Sequence, residues 1–378
     1  MIKILHFITD TNVGGAGRLL CNQIKNMAWN DFEISVALPK SSALLKELRG
    51  LPCSVIGCEH ACDVSFSLDS VIEDYKIIKK VHPDIVHSHA SLSSRIAASA
   101  LGVPSRIFTR HCAFPVPSVM KSPMVSSILG ACQGILSTHI IAVADAAKEN
   151  LLDMGCNERM ISTVINGVEP ISILDSDKKS YLRAINGLDE GNFVVSIFAR
   201  LEKYKGHRTL LDAAAICLKH FPDFRFFIVG DGSERDNLMN MARELKIEDF
   251  VHFLGFCEDI SPILNITDVN VNCSYGTETS SLALSEGMSL GIPCVASNYG
   301  GNPHMVKNCI NGLLFQTNNA DALASCLIRL KCDKALYKEC SAGAYKRYRE
   351  EFNAQIMSQK MIELYVKEYQ RHKNSARI

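Results

Sequence analysis

Short runs of β-branched and aromatic residues alternate with segments of helical spacing along most of the chain. This alternation is typical of a parallel sheet with helices on both faces, because parallel strands need a crossover connection that a helix supplies. We predict helices that include residues 18–27 and 91–101. Strands are predicted at residues 2–8, 33–38, 85–87, 106–109 and 140–143, and in a second series at 193–198, 226–229, 251–254, 269–271, 293–296 and 312–315.

A polar, turn-rich segment around residues 175–191 separates the two series and indicates a domain boundary. We therefore predict an α/β fold of two doubly wound halves that face one another across a cleft, with residues 1–180 and 181–350 as the two domains. Residues 351–378 carry one apolar helical stripe. We expect this last helix to cross back to the N-terminal domain, and a surface helix on the second half is the alternative.

The charge balance and the cysteines narrow the class of protein. The 378 residues include 40 Lys and Arg and 40 Asp and Glu, so the formal net charge is zero. This balance gives no excess of positive charge that would indicate binding to a nucleic acid. The longest uncharged stretch, residues 122–143, contains proline and glycines and is a poor membrane span. Residues 1–8 read as a strand rather than a signal peptide, so we expect reduced cysteines and a cytoplasmic protein. Cys53, Cys58, His60 and Cys62 cluster without a second ligand pair, which favours plain thiols over zinc.

Motifs of the second half come directly after predicted strands, where open parallel sheets bind ligands. Arg200 and Lys205 follow the first of these strands. The pair suits a diphosphate because Arg binds phosphate bidentately and Lys adds a mobile charge, and a solvated surface pair is the alternative. Gly230 and Gly232 follow the next strand, where glycine allows a ligand to approach the backbone or simply forms a turn.

Further along, Glu278 and Glu286 stand eight residues apart. If a helix begins near Ser281, its free N–H groups form a phosphate site, and the two glutamates could hold different hydroxyls of one ligand. Two surface glutamates are the alternative. The glycine pair Gly300 and Gly301 follows another strand and predicts either a loop close to a ligand or a turn.

In this order the motifs resemble the retaining glycosyltransferases of family four, which have the GT-B fold. That family has an Arg followed by a Lys-Gly, and further along a pair of glutamates separated by seven residues. The second glutamate of the pair is the first residue of the motif Glu-(Ala/Gly)-Met-(Ala/Ser)-x-Gly-x-Pro. Here the element runs from Glu278 to Glu286 and then Gly-Met-Ser-Leu-Gly-Ile-Pro, ending at Pro293. The resemblance covers about residues 1–370. Two positions depart from the family pattern. Thr-Ser-Ser, beginning at Thr279, replaces the usual glycines, and His304 stands where many members have Glu. Both departures bear on which donor sugar is bound.

The resemblance implies an enzyme that transfers a sugar from a nucleotide-diphosphate sugar, expected to be a UDP-sugar, to an acceptor hydroxyl with retention of anomeric configuration and without a metal or other cofactor. The implied catalytic residues are His111, Arg200, Lys205 and Glu278, and the implied donor-binding residues are Gly15, Gly17, Gly230, Phe256, Ser280, Ser281, Leu282 and Glu286. Arg200 and Lys205 would hold the diphosphate, with Glu278 at the sugar and Glu286 at the ribose.

In the first half, the glycines around Gly15 and Gly17 resemble the family's N-terminal glycine loop and could expose N–H groups to phosphate. They do not form the dinucleotide-binding pattern, which disfavours a nicotinamide cofactor. Thr-Arg-His111 resembles the Thr-x-His that brings a histidine to the donor sugar, and a structural histidine is the alternative. We expect His87 and His89 to point to opposite faces of the sheet, which argues against one shared metal site.

Two other functions share parts of this pattern: a nucleotide-sugar 2-epimerase of the same fold and a nucleotide-sugar-binding protein without transfer activity. The acceptor is expected to be a glycan or a lipid-linked sugar. The proline-rich loop at residues 114–123 and the apolar segment to 136 favour peripheral contact at the inner face of a membrane, and a core helix is the alternative.

Asp175-Ser-Asp177 matches a metal-binding motif, but it does not follow a strand, so we interpret it as linker.

Overall fold

The computed structural model describes residues 1–27, 30–114 and 116–375, and the chain divides into two compact units. The first unit comprises residues 1–168 together with the segment from Ala354 onward, and the second is Glu169–Asn353. The boundary that we predicted after residue 180 falls inside a helix of the second unit. Each unit contains one fully parallel sheet, of seven and six strands respectively, which confirms the predicted α/β class.

The first unit has the strand order β3-β2-β1-β4-β5-β6-β7. Its strands are β1 (Ile2–Ile8), β2 (Phe32–Pro39), β3 (Ser54–Cys58), β4 (Ile85–His89), β5 (Ser105–Arg110), β6 (His139–Ala142) and β7 (Ile161–Thr163). Its helices up to the boundary are α1 (Gly15–Lys25), α2 (Leu44–Leu48), α3 (Leu68–Val81), α4 (Leu92–Ala100), α5 (Pro123–Leu136) and α6 (Asp145–Asp153), with short 3-10 turns at Ser118–Lys121 and Glu158–Met160.

The second unit has the order β10-β9-β8-β11-β12-β13. Its strands are β8 (Phe193–Phe198), β9 (Phe224–Val229), β10 (Val251–Gly255), β11 (Val269–Asn272), β12 (Cys294–Ser297) and β13 (Gly312–Phe315). Its helices are α7 (Ser176–Ile185), α8 (His207–His220), α9 (Arg235–Glu244), α10 (Ser261–Asn265), α11 (Leu282–Ser289), α12 (Asn302–Met305), α13 (Ala320–Cys332) and α14 (Lys334–Arg347), with 3-10 turns at Lys203–Lys205 and Glu248–Phe250 and a π-helical turn at Tyr348–Phe352.

The sequence pattern missed the edge strands β3 and β7. β3 is mostly exposed and contains Gly57, and β7 is three residues long, so neither shows the continuous apolar run of a buried strand. The central strands are covered on both faces: Phe224, Phe226 and Phe227 of β9 are all fully buried. Each such ring contributes about 1.5–3 kcal/mol of hydrophobic free energy, so burial of β9 stabilises the core of the second unit.

The last helix, α15 (Ala354–Ser375), belongs to the first unit. Its buried residues Met357, Met361 and Tyr365 lie four residues apart and form one apolar stripe. Tyr365 is fully buried, and its hydroxyl accepts a hydrogen bond of 2.8 Å from Nε2 of Gln23 in α1. The helix therefore packs against the core that also holds β1 and α1.

Candidate active site

The loop after β8 carries Arg200 and Lys205 at the carboxyl edge of the second sheet. Arg200 is exposed, and its guanidinium donates to the Tyr204 hydroxyl at 3.1 Å. Lys205 ends a 3-10 turn, and Gly206 then takes a left-handed φ of 74° before α8 begins. A Cβ on Gly206 would lie 2.1 Å from the Cys273 carbonyl oxygen, so only glycine lets this loop pack directly on the end of β11.

Lys205 and Glu278 form a nearly buried ion pair, with 3.0 Å between Nζ and Oε2 and side-chain exposures of 16% and 9%. The same Oε2 accepts hydrogen bonds from Nδ2 of Asn272 at 3.0 Å and from Oγ of Ser274 at 2.8 Å. Three donors on one carboxylate oxygen fix the side chain in place and stabilise its negative charge. Residues that we predicted to serve the diphosphate and the sugar separately are therefore in direct contact in this structure.

The sequence analysis did not identify Asn272 and Ser274 as members of this site. Asn270 and Asn272 are buried polar residues at alternate positions of the otherwise apolar strand β11. Buried amides are rare without partners. That alternation is the signal that could have identified them.

The helix N-terminus predicted near Ser281 is present. Ser281 is the N-cap residue of α11, and its hydroxyl accepts the N–H of Leu284 at 3.4 Å. Leu282 is the first residue of the helix, so its N–H group has no partner within the helix. Ser280 precedes the cap and has a buried Oγ without a hydrogen-bond partner among the described residues. Glu286 lies half-buried on the second turn of α11.

The glycine pair after β12 packs against the backbone of the loop that carries Glu278. A Cβ on Gly301 would lie 1.6 Å from the Thr279 carbonyl oxygen, and the N–H of Gly301 donates to the Glu278 carbonyl at 3.0 Å. Gly300 has a left-handed φ of 56°, and a Cβ there would lie 2.3 Å from the Glu278 carbonyl oxygen. Glycine is required at both positions because the backbone of this pair packs directly against the backbone of Glu278 and Thr279.

Gly230 likewise allows two backbone segments to pack closely, next to Arg200. With a φ of 140°, it lies so close to the Ala199 carbonyl that a Cβ would be 2.1 Å from the oxygen. Phe256 follows β10 and keeps 71% of its surface exposed, which leaves its ring and the adjoining backbone accessible to a planar base. Both residues lie at the carboxyl edge of the same sheet as Arg200 and Glu278.

In the first unit, the glycine loop follows β1. Gly15 is the first residue of α1, so its N–H lacks a partner within the helix. Gly17 is buried, and a Cβ there would lie 2.9 Å from Cδ1 of Leu44. Gly17 therefore allows α1 to pack on α2, whereas Gly15 presents backbone at the helix start.

His111 follows β5 and joins a row of imidazoles. Nε2 of His111 lies 3.0 Å from Nδ1 of His89, and Nε2 of His89 lies 3.1 Å from Nδ1 of His6. His87 stands beside this chain, with its Nδ1 2.6 Å from the Tyr365 hydroxyl and its Nε2 2.6 Å from Oγ1 of Thr109. We call His6, His87, His89 and His111 the histidine row.

Our expectation that His87 and His89 point to opposite faces was wrong. Residues i and i+2 of a strand share a face, and the two ring centroids are 4.3 Å apart. Burial lowers the pKa of His6 to about 3 and that of His111 to about 4. It also holds the pKa values of His87 and His89 well below 6.5, so the whole row is neutral at pH 7.

His6, His87 and His89 offer ring nitrogens within 4.8 Å of one another, close enough to ligate a metal ion. Within the described residues this is the one group with that spacing. Cys53, Cys58 and Cys62 are free thiols. The Asp175-Ser-Asp177 segment lies at the start of α7, where the Asp175 carboxylate accepts the N–H of Lys178 at 2.8 Å as the helix N-cap.

The apolar segment predicted to be distinctive forms α5, and every residue of this helix keeps some solvent exposure. Met124, Ile128 and Ile135 are 74%, 58% and 64% exposed, so the core-helix alternative does not hold. Pro115 of the preceding loop lies outside the described residues. None of the helices in the described part of the chain combines the length and apolar character that crossing a bilayer requires.

Family models match both units. The model for Glycosyltransferase Family 4 matches residues 13–171, and the model for Glycosyl transferases group 1 matches residues 178–347. The residues matched by the second model include Arg200, Lys205, Glu278 and Glu286.

Known proteins are similar along nearly the whole chain. The UDP-Gal:alpha-D-GlcNAc-diphosphoundecaprenol alpha-1,3-galactosyltransferase of Escherichia coli is 30% identical over 346 residues, 89% of each chain. The lipopolysaccharide core biosynthesis glycosyltransferase LpsE of Rhizobium meliloti is 26% identical over 96% of this chain and 98% of its own. The crystal structure of Anabaena HepE with UDP and glucose superposes with a TM-score of 0.82 over 97% of this chain and 100% of that one, at 22% identity. The chain therefore belongs to the group 1 glycosyltransferases of family four and is a glycosyltransferase with the GT-B fold.

Proposed function

We propose that this enzyme transfers a hexose from a UDP-sugar to a lipid-diphosphate-linked sugar, with retention of the anomeric configuration. The observation that carries the proposal is the charged group at the carboxyl edge of the second sheet. Exposed Arg200 and the Lys205–Glu278 pair stand on one loop cluster with the first turn of α11. Two cations and free helix N–H groups suit a diphosphate, and a carboxylate fixed by three donors suits a sugar hydroxyl.

In this proposal the chain's own groups stabilise the leaving diphosphate. Arg200 and Lys205 supply positive charge, and the N-terminus of α11 at Leu282 adds its partial charge. Lys205 exchanges part of its contact with Glu278 for a phosphate oxygen when the donor binds, which frees Glu278 for the sugar. The departing phosphate oxygen then takes the proton of the acceptor hydroxyl as that hydroxyl attacks from the same face.

Other predicted residues complete the donor site in this proposal. Glu286 binds the ribose hydroxyls, the backbone beside Phe256 receives the base, and His111 of the first unit contacts the donor sugar. The choice of uridine is supported by the relative of 30% identity, whose name gives UDP-Gal as donor. No metal or other cofactor is part of the proposal, because the cationic side chains serve the role of a Lewis acid at the diphosphate.

A lipid-linked acceptor is supported by the same relative and by α5. Met124, Ile128 and Ile135 are spaced by four and seven residues, so they lie on one face of the helix and form an exposed apolar stripe. Such a stripe can insert shallowly into the interface of a bilayer, where a lipid diphosphate resides. We propose that the protein binds the membrane face through α5.

The test is a transfer assay with purified protein and a synthetic GlcNAc-diphosphate lipid. UDP-galactose, UDP-glucose, UDP-N-acetylglucosamine and GDP-mannose are supplied in turn, the product is detected by mass spectrometry, and its anomeric configuration is read by proton NMR. We expect an α-linked product from one UDP-sugar. A β-linked product would contradict retention, and transfer from GDP-mannose alone would contradict the uridine assignment.

Membrane contact is tested separately by flotation with anionic liposomes. The double variant Met124→Asp/Ile128→Asp should lose binding, because two charges would enter the bilayer interface. Tyr181→Asp/Ile185→Asp on α7 is the matched control, since these residues have the same spacing and are 66% and 60% exposed. Equal flotation of both variants and the unmodified protein would refute a role for α5.

A further inference from the structure

The histidine row reaches from the middle of the first sheet to its carboxyl edge. Strand register brings the members together: His6 pairs with His87 across β1 and β4, and His89 pairs with Thr109 across β4 and β5. His6 and His87 are fully buried, and His89 is 3% exposed. At the carboxyl edge, the His89 and His111 rings are nearly parallel, with centroids 5.2 Å apart.

A neutral imidazole has one N–H donor and one bare nitrogen acceptor. In the chain His6–His89–His111, each contact joins an Nδ1 to an Nε2. The hydrogen bonds must therefore all run in one direction: either every Nδ1 carries the proton, or every Nε2 does. The tautomer of His111 is consequently coupled to the tautomer of His6 through His89.

The two ends of this chain are both buried. Nε2 of His6 and Nδ1 of His111 lie at opposite ends, and neither takes part in the contacts that join the three rings. Either direction leaves one of these two end nitrogens with a proton and the other bare. His89 transmits the choice to His111, since its Nδ1 contacts His111 and its Nε2 contacts His6.

We propose that His89 is a positioning residue that fixes the ring and the tautomer of His111. The proposal rests on the proposed role of His111 at the donor sugar. It adds that the donor and acceptor character of this ring is set from within the sheet. A tautomer fixed before the sugar binds avoids the cost of reorganisation during the reaction, as a carboxylate does when it orients a catalytic histidine.

A metal site built from the same rings is less consistent with the structure. Apart from Nε2 of His6, the ring nitrogens of His6, His87 and His89 already take part in hydrogen bonds. The described hydrogen-bond partners of these three rings are imidazoles, a phenol and a hydroxyl, with no carboxylate among them. A divalent ion would leave its charge uncompensated in a buried place.

Two substitutions of His89 separate its two hydrogen bonds. In His89→Asn the amide is attached through Cγ, as Nδ1 is, so it keeps a hydrogen bond toward His111. In His89→Gln the amide lies one bond further out, at the position of Nε2, and keeps only the contact with His6. His139→Gln is the control, because His139 is a buried histidine at the start of β6, two strands from β4, where it contacts Ser162.

The first readout is the tautomer of His111, measured by nitrogen-15 NMR of histidine-labelled protein, which distinguishes protonated from bare ring nitrogens without any turnover. We expect a single tautomer of His111 in the unmodified protein, in His89→Asn and in His139→Gln, and a mixture of both tautomers in His89→Gln. A His111 tautomer that is unchanged in His89→Gln would overturn the proposal, whatever the activity.

The second readout is the rate of transfer. We expect kcat to fall roughly 10- to 100-fold in His89→Gln, with the donor KM nearly unchanged, and to be largely kept in His89→Asn. Equal losses in both variants would indicate a packing role and overturn the proposal. Full activity of His111→Ala would instead refute the proposed role of His111, and the NMR result would still decide whether His89 sets its tautomer.

Discussion

Mild acid should destabilise the first unit through its buried histidines. Burial lowers the pKa of His6 to about 3 and that of His111 to about 4, and it keeps those of His87 and His89 well below the ordinary 6.5. Because the folded pKa is the lower one, the unfolded state takes up protons first as the pH falls. The stabilisation is fully present above about pH 6.5 and is lost as the pH drops from there toward the folded pKa values.

The magnitude follows from linkage. Between about pH 7.5 and pH 5.5 an unfolded histidine becomes mostly protonated, while folded His6 stays neutral, and the free energy of unfolding falls by about 1.4 kcal/mol per histidine. The four members of the histidine row together remove about 5–6 kcal/mol over this interval. That loss is comparable with the whole stability of a typical domain, roughly 5–15 kcal/mol.

Amide hydrogen exchange of β1 and β4 at the two pH values measures the opening free energy of this unit. His6→Asn is the informative variant, because its amide can keep the hydrogen bond to His89 but does not titrate. We expect its opening free energy to fall by about 1.4 kcal/mol less than that of the unmodified protein. An equal fall in both proteins would refute the assignment of His6 as a buried neutral histidine.

Three further predictions concern the second unit. Lys205→Met should weaken UDP binding by about 1.5–3 kcal/mol, roughly 10- to 150-fold in titration calorimetry, because a charge-assisted hydrogen bond is lost, and an unchanged affinity would contradict its place on the diphosphate. Gly301→Ala should lower the melting temperature and the transfer rate, because its Cβ would overlap the Thr279 carbonyl, whereas Gly191→Ala, with open space around it, should change neither. Treatment with EDTA should leave the rate of transfer unchanged, and a loss restored by added magnesium would argue for metal-assisted departure of the diphosphate.

The placement of the second unit's candidate residues at strand ends was predictable because their motifs are local. The Arg200 and Lys205 loop, the cap at Ser281 and the glycine pair each lie within a few residues of a strand end, where chain geometry fixes their environment. What was missed depends on how the chain turns after β11, which no motif records: the carboxylate of Glu278 is held by Asn272 and Ser274, which the sequence analysis assigned to no site.

The sequence by itself determined the α/β class, the family and the second unit's candidate residues. Strand-helix alternation and short motifs are local properties that survive without knowledge of what packs against them. Only the tertiary structure revealed the histidine row, because the parallel register of β1, β4 and β5 joins His6, His89 and His111 across more than 100 residues of chain. The tertiary structure also decided that these rings are neutral, since burial, which lowers their pKa values, arises only when α15 and the sheet pack together.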